Sequence, residues 1–182
     1  MHLVLWKQQR GFNLVEIVAV LSVAMIALGA GLPLLSSLHA GLQQRTAINQ
    51  WMATLASARV AAIERSSNVV ACPSRGDTCA ATSFWQDGWI VFEDGNRNAQ
   101  RETGEPILLV APAEAGVRIL SNAGRTHVRY RLDGSSEGSN ATITFCDRRG
   151  ASKARTLVVN NAGRVRSGAA SPTQAAAACG ND

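Results

Sequence analysis

Gly11-Phe12-Asn13-Leu14-Val15-Glu16 opens the longest apolar run of this 182-residue chain, and Glu16 decides how the rest is read. From Phe12 to Leu35 it is the only charge. As a helix the run would be about 36 Å long, enough to cross a hydrocarbon core of about 30 Å. Lys7 and Arg10 precede it, so the positive-inside rule leaves the leading segment in the cytoplasm and sends the rest of the chain outward. A carboxylate at that depth in a bilayer is costly and needs a reason.

Three readings compete. A secretory signal peptide would be cut near Ser37-Leu38-His39-Ala40-Gly41, but Asn13 and Glu16 weaken the apolar core that such a signal depends on. A plain membrane anchor gives Glu16 nothing to do. If the chain is instead cut between Gly11 and Phe12, a new α-amino group appears and Glu16 becomes the fifth residue after it. In a lipid-embedded assembly that carboxylate would neutralise the N-terminal ammonium of an adjacent subunit, relieving two buried charges together.

These residues resemble the class III leader of type IV pilins and type II secretion pseudopilins: a short basic leader, a Gly before the cut, a Phe after it and a Glu four residues on. The resemblance implies processing by prepilin peptidase after Gly11, methylation of Phe12, storage in the inner membrane with a periplasmic C-terminal domain, and assembly with other pilin subunits through Glu16. Asn13 stands where Thr is commoner. Pro33 matches the kink of such helices, since proline removes one backbone hydrogen bond.

The helical pattern continues. Ile48, Trp51, Met52, Leu55, Ala58, Ala62 and Ile63 recur at spacings of three and four, with Arg45, Asn49, Arg59 and Ser66 elsewhere. This stripe is read as the face that packs on the chain's own sheet. After Asn68 short apolar runs separated by turn residues predict strands at 69–72, 88–93, 107–111, 117–120, 126–132, 141–146, 155–160 and 164–167. The Ala-rich end, from Gly168 on, reads as a flexible tail held by Cys179. The division predicted is therefore a cleaved leader over 1–11, a transmembrane helix over 12–35, its amphipathic continuation over 36–67 and a β-rich domain over 68–182. The fold class is α+β, a long N-terminal helix packed on antiparallel sheets.

The four cysteines, Cys72, Cys79, Cys146 and Cys179, form no CxxC pair and have few histidines near them, so two disulfides are expected in an exported chain. The simplest pairing by sequence is 72 with 79 and 146 with 179; two other connectivities stay open.

A second resemblance enters at Trp85-Gln86-Asp87-Gly88-Trp89-Ile90-Val91-Phe92-Glu93-Asp94-Gly95-Asn96 and continues to Gly104-Glu105-Pro106-Ile107-Leu108. A Gly-Trp strand, an Asp/Asn-rich turn and a Gly-Glu before the next strand are similar to the GspH/FimT family of minor pilins and pseudopilins. By alternation Trp89 and Val91 face one way and Ile90 and Phe92 the other, which predicts a strand buried on both faces.

Enzymatic constellations are missing: His2 precedes the cut, His39 sits at the membrane end of the helix, and His127 has no Ser, Cys or carboxylate motif beside it. No cofactor is expected. Asp94, Asn96, Asn98, Gln100, Glu102 and Glu105 fall at the oxygen-ligand positions of an EF-hand loop, which would suit calcium. Ala99 stands where that loop needs Gly, and the reading taken is a hairpin rich in Asx turns.

The net charge of +5 is local. Between Asn140 and Ala170, Arg148, Arg149, Lys153, Arg155, Arg164 and Arg166 stand against Asp147 alone. Asn160-Asn161-Ala162-Gly163-Arg164-Val165-Arg166 reads as tight turn and strand, with Arg164 and Arg166 on one face about 7 Å apart, the spacing of adjacent phosphates in a nucleic-acid backbone. Arg148, Arg149, Lys153 and Arg155 are expected to support that contact, with Lys153 and Arg155, also two apart, extending the same surface. Edge-strand arginines also discourage edge pairing, which is the competing account. Gly163-Arg164-Val165-Arg166 matches the GRxR motif of FimT-type minor pilins, a resemblance that implies DNA contact during natural transformation. Without stacking aromatics or a recognition helix, such binding would be to phosphates and independent of sequence. The alternative is a purely structural pilin or pseudopilin that primes a filament.

Overall fold

The computed structural model describes residues 11 and 13–180. Residues 1–10 and Phe12, on which the expectations of leader cleavage and methylation fall, lie outside the described residues. Helix α1, Leu14–Arg65, is 52 residues long and continues through Pro33. Asn13 stands at its entry, its carbonyl accepting the Ile17 N–H at 3.2 Å, and Glu16 lies in the first turn. The residues fall into two compact units that divide after Leu38.

In the first unit the helix is apolar on every side: Leu14, Val15, Ile17, Val18, Val20, Leu21, Val23, Met25, Ile26 and Leu28 are all exposed. A helix without a polar face needs lipid or other helices around it. Its mean hydropathy reaches 2.4, and among the described residues it is the one helix long and apolar enough to cross a membrane.

In the second unit, His39 onward, α1 packs on eight strands. β1 (Val69–Pro73), β2 (Trp89–Glu93), β3 (Ile107–Ala111) and β5 (Val128–Tyr130) form one antiparallel sheet in the order β3-β2-β1-β5. β4 (Val117–Ser121), β6 (Ala141–Asp147), β7 (Arg155–Val159) and β8 (Val165–Ala169) form the other, β4-β6-β7-β8. Ala47, Trp51, Leu55, Ala58 and Ala62 run down the buried side of α1 and share one core with the inward faces of both sheets. Met52 and Ile63, expected in this stripe, face outward, 38% and 49% exposed. The seam instead takes in Gln44 and Thr54, buried polar groups whose partners lie on the domain. Trp51 is wedged between Trp85 and Trp89, with ring centroids 4.8 Å from each. Thr54 Oγ1 accepts the Trp89 indole N–H at 3.4 Å, and Ser121 Oγ accepts that of Trp85 at 3.1 Å. Truncating such a ring in a core costs about 3–5 kcal/mol.

β2 is buried on both faces. Trp89 and Val91 join the helix-facing core, while Ile90 and Phe92 join Val70, Cys72 and Ala99 in a second cluster on the sheet's outer face. What covers that face is the 94–105 loop, which drops Ala99 into the cluster at φ +59, together with the Cys72–Cys79 disulfide.

The chain end departs from expectation. Pro172–Cys179 is a helix, α2, and no flexible tail. Ser171 Oγ accepts the Gln174 N–H while Gln174 Oε1 accepts the Ser171 N–H, a capping box with Pro172 in the first turn. Ala175 and Ala178 are buried, and Cys179 is bonded to Cys146 of β6.

Candidate nucleic-acid interface

The β7–β8 hairpin is closed by three residues. The Asn160 N–H bonds the Arg164 carbonyl at 3.1 Å, the Gly163 N–H bonds the Asn160 carbonyl at 2.9 Å, and Asn160 Oδ1 accepts the Arg164 N–H at 2.9 Å. Gly163 supplies the left-handed residue that such a loop requires, at φ +71. It has a second reason to lack a side chain, because a Cβ there would collide with the Gly134 carbonyl oxygen. Val165 packs against the core, so Arg166, paired with Val158, points from the opposite face. Arg164 precedes the strand as the last residue of the turn, and both arginines are exposed. Neither guanidinium has a hydrogen bond or ion pair among the described residues. Two exposed, unneutralised forks at a sheet corner can each take a phosphate or carboxylate.

The remaining cations of the expected patch do not join them. Arg148, Arg149 and Lys153 lie in the β6–β7 connection, at the other end of β7, and the five residues of that strand span about 16 Å. Arg155 starts β7 there and shares the alternation of Leu157 and Val159, the opposite face from Arg166. Arg149 is bound within the domain. Its Nη2 donates to Asp147 Oδ2 at 2.6 Å and to Gln44 Oε1 at 3.2 Å, and Gln44 Nε2 reaches the carbonyls of Phe145 and Lys153 at 3.1 Å each. The Asp147 side chain is wholly buried. This bonding raises the Arg149 pKa above its already high value, and it makes Arg149 a fastener between α1 and the second sheet.

What adjoins Arg164 is the 131–139 turn, where the Ser136 N–H bonds the Asn161 carbonyl at 2.8 Å. It brings Arg125, whose guanidinium holds the Gly138 carbonyl at 2.9 Å and Asn140 Oδ1 at 3.1 Å, and Arg131 at its start. Sequence reasoning passed over these arginines because the chain outside the basic window balances slightly acidic.

The 94–105 loop uses most of its side-chain oxygens internally, with Asp94 Oδ1 buried and without a partner. Asp94 Oδ2 accepts the Ala99 N–H at 3.2 Å and faces Arg129 Nε at 3.6 Å; Glu105 accepts the N–H groups of Gly95 and Glu102; Glu102 accepts the amides of Asn96 and Asn98. His127 lies on the loop before β5. Burial lowers its pKa, and Arg129 and Arg125 lower it further against the opposing pull of Asp94.

A long N-terminal helix packed on two antiparallel sheets is a pilin-like fold. It is shared with the type IV minor pilin FimU of Pseudomonas aeruginosa in two crystal forms. Both align with a TM-score of 0.55 at 15% identity, covering 74% of this chain and 93% or 98% of FimU. The family model described as Type II transport protein GspH matches residues 47–163, more than half of the chain, and the chain belongs to that family. No curated protein sequence matches it significantly.

Proposed function

We propose that this GspH-family subunit is a minor pilin of a type IV pilus that holds DNA by its backbone through Arg164 and Arg166. The observation that carries the reading is the pair of exposed guanidiniums, without partners among the described residues, that the Asn160–Arg164 turn holds at one corner of the second sheet. In this reading prepilin peptidase cuts after Gly11, Phe12 is methylated, and the apolar half of α1 anchors the subunit in the inner membrane before Glu16 guides it into the filament. Arg148, Lys153 and Arg155, at the far end of β7, contribute a diffuse field instead of direct contacts.

Full-length protein in detergent, titrated with duplex DNA, tests this. Binding should be independent of sequence and steeply salt-dependent. An Arg164→Ala, Arg166→Ala pair should lower the slope of log K against log salt by about two. Absence of any mobility shift at low ionic strength would refute the DNA reading and leave a structural pseudopilin, the role that the family's description favours.

A further inference from the structure

Three guanidinium groups, one of them brought from a loop some thirty residues earlier in the chain, line one cleft. A depression of about 420 Å³ is lined by Asn68, Arg97, Arg129, Arg131, Leu132 and Asp133. Arg97 comes from the 94–105 loop, Arg129 from β5 and Arg131 from the turn that follows. Three cations against Asp133 leave the lining net positive.

The acids nearby neutralise this charge unevenly. Asp94, with no exposed side-chain surface, meets Arg129 at its Nε, and that Nε makes no hydrogen bond although it is buried. Glu137 meets Arg131 at 2.7 Å, but both side chains are largely in water, 47% and 65% exposed, where such a pair is worth little. Arg97 is exposed and has no acidic partner among the described residues. Asp133 is occupied by the Ser135 N–H at 2.9 Å, and that bond holds its carboxyl below the usual range. The cleft therefore keeps, at Arg97, a positive charge that no acid among the described residues offsets.

The cleft adjoins the Arg164 corner. Leu132 and Asp133 lead directly into Gly134, whose carbonyl oxygen abuts Gly163, the residue before Arg164. Cleft and hairpin are therefore the two flanks of one turn. A backbone phosphodiester presents two charged non-bridging oxygens, and each can accept from more than one donor, so one phosphate can be shared by guanidiniums that approach from different directions.

We propose that the cleft of Arg97, Arg129 and Arg131 seats a second phosphate of the same DNA whose backbone lies on Arg164 and Arg166. This rests on the DNA reading and extends the contact across the 131–139 turn.

Arginine-selective modification with phenylglyoxal, mapped by peptide mass spectrometry on full-length protein in detergent, tests it in the presence of short duplex DNA, inorganic phosphate or an acidic peptide. The duplex should slow modification of Arg97 and Arg131 together with Arg164 and Arg166. Arg97→Gln, at an exposed position that holds no other part of the fold, should weaken DNA binding several-fold and reduce the salt slope by about one. If DNA protects Arg164 and Arg166 and leaves Arg97 and Arg131 reactive, the cleft proposal fails and the DNA reading stands. Protection nowhere overturns both. Protection of the cleft by inorganic phosphate or the acidic peptide but not by DNA assigns it to another anion and overturns the proposal.

Discussion

Gly163 carries two constraints in one residue, a left-handed backbone and direct contact with the Gly134 carbonyl. Gly163→Ala should therefore cost more than the 1–2 kcal/mol that an L residue loses in that conformation, about 2–4 kcal/mol in all. Denaturant unfolding measures the loss, and a cost within experimental error would show that the two turns can part. His127 gives a pH signature. Its folded-state pKa lies below the ordinary 6.5, through burial first and then Arg129 and Arg125. As pH falls below 6.5 the unfolded chain takes up a proton that the folded state resists, so stability declines until the depressed folded pKa is passed; above 6.5 the residue contributes nothing. Unfolding midpoints between about pH 7 and pH 5 should slope downward toward acid, and more shallowly in His127→Gln. At this scale the sequence was partly transparent. Alternation placed Val165 inward and Arg166 outward because a strand has period two. It could not show that Arg149 turns back onto Asp147 and Gln44, a contact made across more than a hundred residues.

Among the elements, the strands were readable because each is a short apolar run between turn residues. The burial of β2 on both faces was likewise readable in Trp89-Ile90-Val91-Phe92. Helix α2 was not read from its composition, since alanines suit tail and helix alike; the signal lay in Ser171-Pro172-Thr173-Gln174, which satisfies the first N–H groups of a helix. Eight residues cannot sustain a helix alone, so α2 depends on its packing and on Cys179. A Cys146→Ser, Cys179→Ser variant should lose amide protection over 172–179 while β6 and β7 keep theirs in hydrogen exchange, with an overall loss of about 2–4 kcal/mol. Retained protection would mean that Ala175 and Ala178 are sufficient to hold it. The basic window failed as a single patch for a simple reason: a chain that reverses after five residues carries neighbours in sequence to opposite ends of a strand.

Across the whole molecule, one helix serves two environments. Its first part exposes apolar side chains all round, while Ala47 to Ala62 supply a seam for the domain core in which Trp51 and Leu55 are set among alanines. Glu16 is the one acid in that first part. Glu16→Ala should leave the domain's unfolding midpoint unchanged and reduce recovery of the subunit in sheared filaments by tenfold or more, whereas a normal yield would remove the pairing role given to it. The backbone contact between Gly163 and Gly134 has a further consequence. Neither turn can gain a residue without pushing the other away, so this corner is closed to insertion. Its charge can be retuned by exchanging one side chain for another, but its outline is set by two peptide units in contact.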